Sequence, residues 1–334
     1  MKLSSLAILS IVLVSGAYSA DQKNKKDDPN QIGDRDVGKC LNFYSLDKEI
    51  AWGKQLADEV ARESKIDDDP ILSEYVNRVG QNLARNSDAK VPFTFRVIDG
   101  EELNAFALPG GYVFVYTGLI KLASEEDEFA GALAHEIAHV AARHMTCRAS
   151  QEQIAKTAGV LPGILLGPLG GWAARQAAGV AIPMTFRSFS RHDEAEADYL
   201  GVQYMYKAGY DPQSFVSFFE KVKAQEKKKP GTLAKAFSSH PPTPDRILKT
   251  QEEIRTVLPA RPEYIVNTSE FNEVKARLAA LQNRKKGIEE KDNSKPSLRR
   301  TQTADNKGKD GKDGDDRPTL QRRDDDFIAS TGQR

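Results

Sequence analysis

Two histidines lie one turn apart inside the most regular helical pattern of the sequence, where residues 135–139 are His-Glu-Ile-Ala-His. This pattern begins at the capping residue Ser124, has acidic residues in its first turn and keeps its apolar periodicity to about Cys147. Because an α-helix turns by about 100° per residue, His135 and His139 differ by about 40° and project from one face. Two nitrogen ligands of a tetrahedral zinc ion need this geometry, so the pair predicts a zinc site.

Glu136 lies beside the two histidines, where its carboxylate can reach a water molecule held by such a metal. The opposite face of the helix is apolar, with Leu133, Ile137, Val140 and Ala141. His144 falls on that apolar stripe, about 180° from His135, so we interpret it as a structural residue rather than a ligand. Coincidence is the alternative interpretation of the pentapeptide, but its position inside a well-formed helix argues against chance.

A third ligand must come from elsewhere, and the acidic segment at residues 188–198 is the candidate region. Glu194 and Asp198 are four residues apart and share a helix face, while Glu196 points away from both. A carboxylate ligand at Glu194, with Asp198 behind it as the acceptor for an imidazole N–H, is chemically reasonable. The start of an ordinary solvated helix has the same pattern, and periodicity alone does not choose between Glu194 and Asp198.

The N-terminus has the pattern of an export signal, with Lys2 as the positive region, an apolar segment at residues 6–14 and small residues after it. An uncleaved membrane anchor is the alternative, although the apolar core is short for a bilayer span.

In an oxidising compartment Cys40 and Cys147 could form one disulfide, but the sequence does not show that they are close.

The charge balance argues against a nucleic-acid-binding protein. Lys plus Arg and Asp plus Glu both number 48, so the formal net charge is zero and the chain lacks the basic excess of that class.

Residues 157–184 form an apolar insert rich in Gly and Pro. Its Pro162, Pro168 and Arg175 favour a loop or lid over the site rather than a membrane span. Peripheral membrane contact through this insert is the alternative interpretation.

Composition shifts along the chain predict four segments. They are a signal peptide (1–20), a flexible polar leader (21–45), a folded domain (46–282) and a charged, disordered tail (283–334). Within the domain, helical patterns predominate, and residues 93–98 and 112–117 are predicted strands. The predicted fold class is therefore α+β, mostly helical with a small sheet.

Four motifs, taken in order, resemble the HtpX and CAAX-prenyl-protease type of zinc peptidases. They lie at residues 104–118, 135–144, 190–198 and 239–246. The resemblance covers about residues 46–281 and is strongest to the soluble, BepA-like periplasmic branch of this gluzincin family. It implies a zincin-type domain with one zinc ion per chain and a periplasmic or other extracytoplasmic location. BepA-like proteins also carry a C-terminal helical repeat domain, whereas a charged tail is expected to follow the domain here.

The same resemblance implies roles for residues outside the first helix. It makes Glu194 the third zinc ligand and Asp198 a neighbour of the site. His240, in a Ser-His-Pro turn, is expected near the zinc, either as a fourth ligand that blocks the water or as a transition-state donor. A turn histidine without a role is the alternative. Apart from the resemblance, Arg191 is expected either to pair with a nearby carboxylate or to touch substrate, and the sequence does not choose between them.

These features together predict a zinc-dependent endopeptidase that hydrolyses unfolded or misassembled exported proteins, with Glu136 as the catalytic base. The extended run at residues 112–117 is expected to be an edge strand that borders the cleft and binds substrate backbone by strand addition. The expected docking residues are Gly110, Gly111, Tyr112, Val113, Phe114 and Val115. A latent zinc-bound chaperone or assembly factor, with its site closed by His240, is the alternative function.

Overall fold

The computed structural model of the chain describes residues 28–164, 189–228, 240 and 243–293. Within them, helices surround a three-stranded sheet, which confirms the predicted α+β class. The helices are α1 Leu46–Glu63, α2 Pro70–Arg85, α3 Thr117–Leu122, α4 Glu126–Ala141, α5 His144–Ile164, α6 Arg191–Ala208, α7 Gln213–Lys228, α8 Pro244–Val257 and α9 Ser269–Asn293. The strands are β1 Thr94–Ile98, β2 Ala105–Leu108 and β3 Tyr112–Tyr116.

The sheet has the order β1–β3–β2, with β1 parallel and β2 antiparallel to β3. The predicted edge strand, residues 112–117, is therefore the central strand, and that prediction is wrong. Val113, Phe114 and Val115 are at most 1% exposed, because both faces of β3 pack against other elements. A short continuous apolar run is typical of such a fully buried strand. β2 is instead the edge strand that borders the candidate site.

The predicted docking residues Gly110 and Gly111 are both buried. They form a buried single-turn 3₁₀ helix, Pro109–Gly111, between β2 and β3. Helix α1 packs against this turn, and a side chain at Gly110 would meet the backbone of Ile50. These glycines therefore allow the close packing of α1, and their predicted contact with substrate stays a prediction.

The sheet is covered on both faces by helices. On one face, Phe114 and Leu108 form an apolar cluster with residues of α1 such as Leu56. Helix α2 packs on β1, and the ring of Phe95 fills the space above Gly80 of that helix. The apolar sides of α1 and α2 therefore pack against the sheet.

Helix α4 runs through the centre of the molecule, and all of its residues are buried. Helix α6 packs along it, and Gly201 lies in close contact with the backbone of α4. A Cβ atom at Gly201 would lie 3.2 Å from the carbonyl oxygen of Ala134 and from the backbone nitrogen of His135. This close crossing brings the first two turns of α6 alongside the histidines of α4.

The start of α6 is determined by a capping box. The N–H of Asp193 donates to Ser190 Oγ, and the N–H of Ser190 donates to the Asp193 carboxylate, at 3.1 Å each. Glu194 and Asp198 consequently occupy successive turns on the buried side of the helix. Local sequence thus fixes which residues of α6 can face α4.

Contrary to the prediction of a flexible leader over residues 21–45, the described part of that segment packs against the domain. Arg35 forms a buried ion pair with Asp88, at 2.6 Å. The side chain of Ile32 is 4% exposed. Cys40 is disulfide-bonded to Cys147 of α5, so the pairing that the sequence left open does occur.

By its internal contacts the chain divides into two compact units, residues 1–276 and 277–334. In the second unit, the described residues continue α9 as far as Asn293, so residues 283–293 of the predicted disordered tail are helical.

The apolar insert predicted as a loop at 157–184 is helical up to Ile164, the end of α5. Its remainder, like the predicted signal peptide, lies outside the described residues. Within the described part of the chain, no helix is both long and apolar enough to cross a membrane.

Candidate metal centre

Helix α4 carries His135, Glu136 and His139 on its buried surface, each at most 4% exposed. The helix ends at Ala141 and does not continue to Cys147 as predicted, because Arg143 adopts a positive φ of 57°. A new helix, α5, starts at once with His144.

Four side chains direct potential ligand atoms to one point, and these atoms all lie within 4.8 Å of one another. They belong to His135 and His139 of α4, Glu194 of α6 and His240. His135 Nε2 is 3.1 Å from His139 Nε2 and 3.3 Å from His240 Nδ1. Glu194 Oε1 lies 3.6 Å from His139 Nε2 and 2.7 Å from His240 Nδ1.

This donor set fits a tetrahedral zinc ion. Bonds of about 2.0–2.1 Å from zinc to nitrogen or oxygen separate neighbouring ligand atoms by about 3.3–3.4 Å. Most of the separations in the cluster scatter around that value. Imidazole nitrogens and carboxylate oxygens are also the ligand types that zinc binds. The residues present therefore suit the metal that the sequence predicts.

Asp198 and Arg246 support the cluster from behind. His135 Nδ1 is 3.0 Å from Asp198 Oδ1, the contact expected of a carboxylate that orients a metal-binding imidazole. Arg246 donates to both oxygens of Asp198 at 2.7 Å and pairs with Glu194 Oε2 at 2.8 Å. Sequence reasoning missed Arg246, although it closes the motif at residues 239–246.

Arg191, predicted to pair with a nearby carboxylate or to touch substrate, forms no ion pair with a carboxylate in the described part of the chain. It is exposed at the first turn of α6. The turn of α6 that faces α4 starts three residues later, at Glu194, so Arg191 projects into solvent. Arg246 of α8 is the arginine that pairs with the carboxylates of the site.

Glu136 sits between the four-residue cluster and the edge of the sheet. The N–H of Ala107 in β2 donates to Glu136 Oε2 at 3.0 Å. The other oxygen, Oε1, lies 3.7 Å from His240 Nε2. Burial disfavours the charged carboxylate and raises the pKa of Glu136 above its usual value. A raised pKa makes this carboxylate a stronger base than one in water.

The histidines of α4 differ in protonation. Burial lowers the pKa of His139 well below its usual value, so this ring is neutral at ordinary pH. Burial also disfavours the charged form of His135, but Asp198 and Glu194 outweigh it and raise the pKa of His135 to about 9. Burial opposes ionisation of Glu194 too, yet interactions with His135 and His240 hold its pKa far below the usual range.

Phe189, which no sequence pattern singled out, packs against the imidazole rings of His139 and His240. Its ring stacks on His139 with centroids 4.1 Å apart and on His240 with centroids 5.4 Å apart. With Ala107 and Leu108 of β2 it also lines a small pocket next to His139. The pocket lies between the edge strand and the candidate metal ligands.

A family model described as peptidase family M48 matches residues 70–254, more than half of the 334-residue chain. The chain belongs to peptidase family M48. The family match includes α4 and α6 and thus the residues at 135–139 and 190–198 that suggested the resemblance. This match confirms the family resemblance predicted from the sequence.

Several named relatives are similar to this M48 chain. It is 32% identical over 229 residues to the beta-barrel assembly-enhancing protease of Yersinia pestis, covering 66% of this chain and 47% of that protein. It is 29% identical over 249 residues to the Escherichia coli K12 protein of the same name, covering 72% and 50%. It is 36% identical over 188 residues to the mitochondrial metalloendopeptidase OMA1 of Schizosaccharomyces pombe, covering 53% and 52%. The chain spans about half the length of these relatives.

Proposed function

We propose that this chain is a zinc-dependent endopeptidase. The observation that carries the proposal is the convergence of His135, His139 and Glu194 at the spacing of a tetrahedral metal site. These three residues would hold one zinc ion per chain. When bound, zinc polarises a carbonyl group and lowers the pKa of water, which is the chemistry that peptide hydrolysis needs.

Glu136 is the catalytic base in this proposal. Its carboxylate accepts the proton of the attacking water and then delivers that proton to the leaving amine. The hydrogen bond from Ala107 N–H holds Glu136 against β2, so the carboxylate stays beside the strand along which substrate binds. Its raised pKa makes the ionised carboxylate a better acceptor for the proton of water.

The outer edge of β2 is the proposed docking strand for substrate. Asn104 and Phe106 pair with β3, so the alternate residues Ala105 and Ala107 direct their backbone groups away from the sheet. An extended polypeptide that adds to this edge is recognised mainly through its backbone. That mode suits unfolded or misassembled exported proteins as substrates. The names of the beta-barrel assembly-enhancing relatives support a role in envelope protein quality control.

A periplasmic or other extracytoplasmic location fits the same proposal. The disulfide between Cys40 and Cys147 is typical of an oxidising compartment. Peripheral membrane contact through residues 157–184 stays a prediction, since most of that insert lies outside the described residues. The net charge of zero argues against a nucleic-acid partner.

A latent form is the second candidate, and the position of His240 favours it. His240 Nδ1 belongs to the donor set, 3.3 Å from His135 Nε2. A fourth protein ligand there would take the position that water needs. His240 would otherwise serve as a donor to the developing oxyanion, since its Nε2 points towards Glu136. In the latent form the chain acts as a zinc-bound chaperone or assembly factor.

The test is degradation of an unfolded model protein by zinc-loaded protein beside two variants. Glu136→Gln is expected to lower kcat by about 10²–10⁴-fold, the contribution of a general base, while zinc stays bound. Glu220→Gln, an exposed position on α7, is the matched control and should cleave like the parent.

Equal cleavage by parent and Glu136→Gln would exclude Glu136 as the base. If the parent binds zinc but does not cleave, His240→Ala decides between the two functions. Activation by His240→Ala would establish a latent peptidase. Continued inactivity of His240→Ala would leave the chaperone function as the better account.

A further inference from the structure

His144 and Glu196 extend the metal centre on the side away from Asp198. His144 Nδ1 lies 2.9 Å from His139 Nδ1, and His144 Nε2 lies 3.3 Å from Glu196 Oε2. His144 is 3% exposed, and the side chain of Glu196 is 18% exposed. The break after α4 turns His144 back onto His139, instead of placing it on the opposite helix face as the sequence predicted.

The order of these contacts determines which nitrogen of each ring carries a hydrogen. An ionised carboxylate only accepts hydrogen bonds, so Glu196 requires a hydrogen on His144 Nε2. A neutral His144 then has a bare Nδ1, which accepts a hydrogen bond from His139 Nδ1–H. His139 is left with a bare Nε2, and this atom points at His135 and Glu194.

We propose that His144 and Glu196 are positioning residues that hold His139 in its metal-binding tautomer. The inference rests on the proposed function, because it requires His139 to be a metal ligand. The two ligands of α4 would then be oriented in different ways. His135 meets the carboxylate of Asp198 directly, whereas His139 reaches the carboxylate of Glu196 through a second imidazole.

The N-terminal segment holds Glu196 from its other side. The N–H of Gly38 lies within hydrogen-bond distance of Glu196 Oε1, at 3.3 Å. Gly38 has a φ of 66°, and a Cβ atom there would lie only 1.9 Å from the carbonyl oxygen of Ala142. Glycine is thus needed for the segment to approach the break after α4. The disulfide between Cys40 and Cys147 ties the segment down two residues later.

A buried histidine with satisfied hydrogen bonds can also be purely structural, and metal affinity distinguishes the two roles. His144→Phe keeps a ring of similar size but removes the acceptor for His139 Nδ1–H. His144→Asn places an amide oxygen near the position of the original Nδ1 and restores that acceptor. His192→Ala is the control, because His192 lies on α6 with its side chain 84% exposed.

The measurements are the zinc dissociation constant, obtained by competition with a chelating indicator, and the visible absorption spectrum of the Co²⁺-loaded protein. We expect His144→Phe to weaken zinc binding by about 10–100-fold and to alter the Co²⁺ spectrum. His144→Asn should recover most of the affinity and the parent spectrum, and His192→Ala should match the parent. Thermal unfolding of the metal-free proteins checks that each variant is folded.

Parent-like zinc affinity of a folded His144→Phe would overturn the inference while leaving the proposed metal site intact. Failure of the parent itself to bind zinc would remove the proposed function, and the inference with it. If His144→Phe does not fold, Glu196→Ala replaces it, because Glu196 lies nearer the surface. A loss of affinity in Glu196→Ala would support the inference, and unchanged affinity would refute it.

Discussion

At the scale of single residues, the candidate centre buries several charges that must balance one another. Asp198 and Glu194 are at most 4% exposed, and Arg246, 7% exposed, pairs with both. Burial disfavours the ionised form of Asp198, but Arg246 and His135 outweigh it and lower its pKa below the usual value. An unpaired buried carboxylate would be costly, so the site depends on this arginine even though Arg246 is not in the ligand cluster.

Arg246→Met is therefore expected to destabilise the protein by about 3–5 kcal/mol, the cost of leaving a buried charge without its partner. Urea unfolding of the metal-free protein measures the change. Arg255→Met, on the exposed side of the same helix, is the matched control and should leave the midpoint unchanged. A midpoint for Arg246→Met equal to that of the parent would contradict the assigned role.

Zinc binding is expected to release a proton from His135. Its pKa of about 9 means that the imidazole is charged near neutral pH in the metal-free protein. Zinc needs the neutral ring, so about one proton should leave per ion bound, and affinity should increase as pH rises towards about 9. Calorimetry in buffers of different ionisation enthalpy counts that proton.

Asp198→Asn provides the control for this count. It removes a carboxylate that raises the pKa of His135, so fewer protons should be released near neutral pH. Equal proton release by parent and Asp198→Asn would show that Asp198 does not set the protonation of this ligand.

At the scale of elements, the site is built where α4 meets both an edge strand and a second helix. Strand β2 borders Glu136 through Ala107, and α6 brings Glu194 to the histidines. The outer edge of β2 is the side on which another strand can add, because the inner edge is already paired with β3. The proposed docking edge and the proposed metal site thus lie on adjoining surfaces of α4.

Ala105→Pro is expected to raise KM for an unstructured peptide substrate. Its N–H points away from β3, so proline there removes an outward donor without breaking a bond of the sheet. Val115→Pro is the contrasting variant, because β3 is paired on both edges and proline there should prevent folding. An unchanged KM for a folded Ala105→Pro would exclude the β2 edge as the docking strand.

At the scale of the whole molecule, the N-terminal segment is part of the domain rather than a linker. The disulfide joins Cys40 to Cys147 across 107 positions of sequence, so it closes a long loop. Arg35 adds a buried ion pair with Asp88 at the start of the same segment. This segment also contacts Glu196, so the stability of the fold and the geometry of the metal centre share one set of contacts.

Replacing both Cys40 and Cys147 with serine is expected to lower the free energy of unfolding by about 4–5 kcal/mol. In the chain-entropy treatment, a cross-link that closes a loop of this length restricts the unfolded state by that amount. Urea unfolding of the double variant gives the value. The parent under reducing conditions should show the same loss, and a much smaller loss would mean that the noncovalent contacts of the segment are sufficient.

The sequence by itself determined the features that depend on local geometry. The one-turn spacing of His135 and His139, the capping box at Ser190 and the alternation of the first strand each involve residues within a few positions of one another. Such contacts follow from helix and strand periodicity, so they can be read without knowing the rest of the fold.

Only the tertiary structure decided how distant segments meet. Arg246 contacts a carboxylate 48 positions away, and Arg35 contacts one 53 positions away. The central position of β3 also depends on pairing with two separate strands. These arrangements are chosen by burial and chain closure over the whole molecule. A short window of sequence contains information on neither burial nor chain closure. The periodicity that located the histidines therefore identified neither Arg246 nor the edge position of β2.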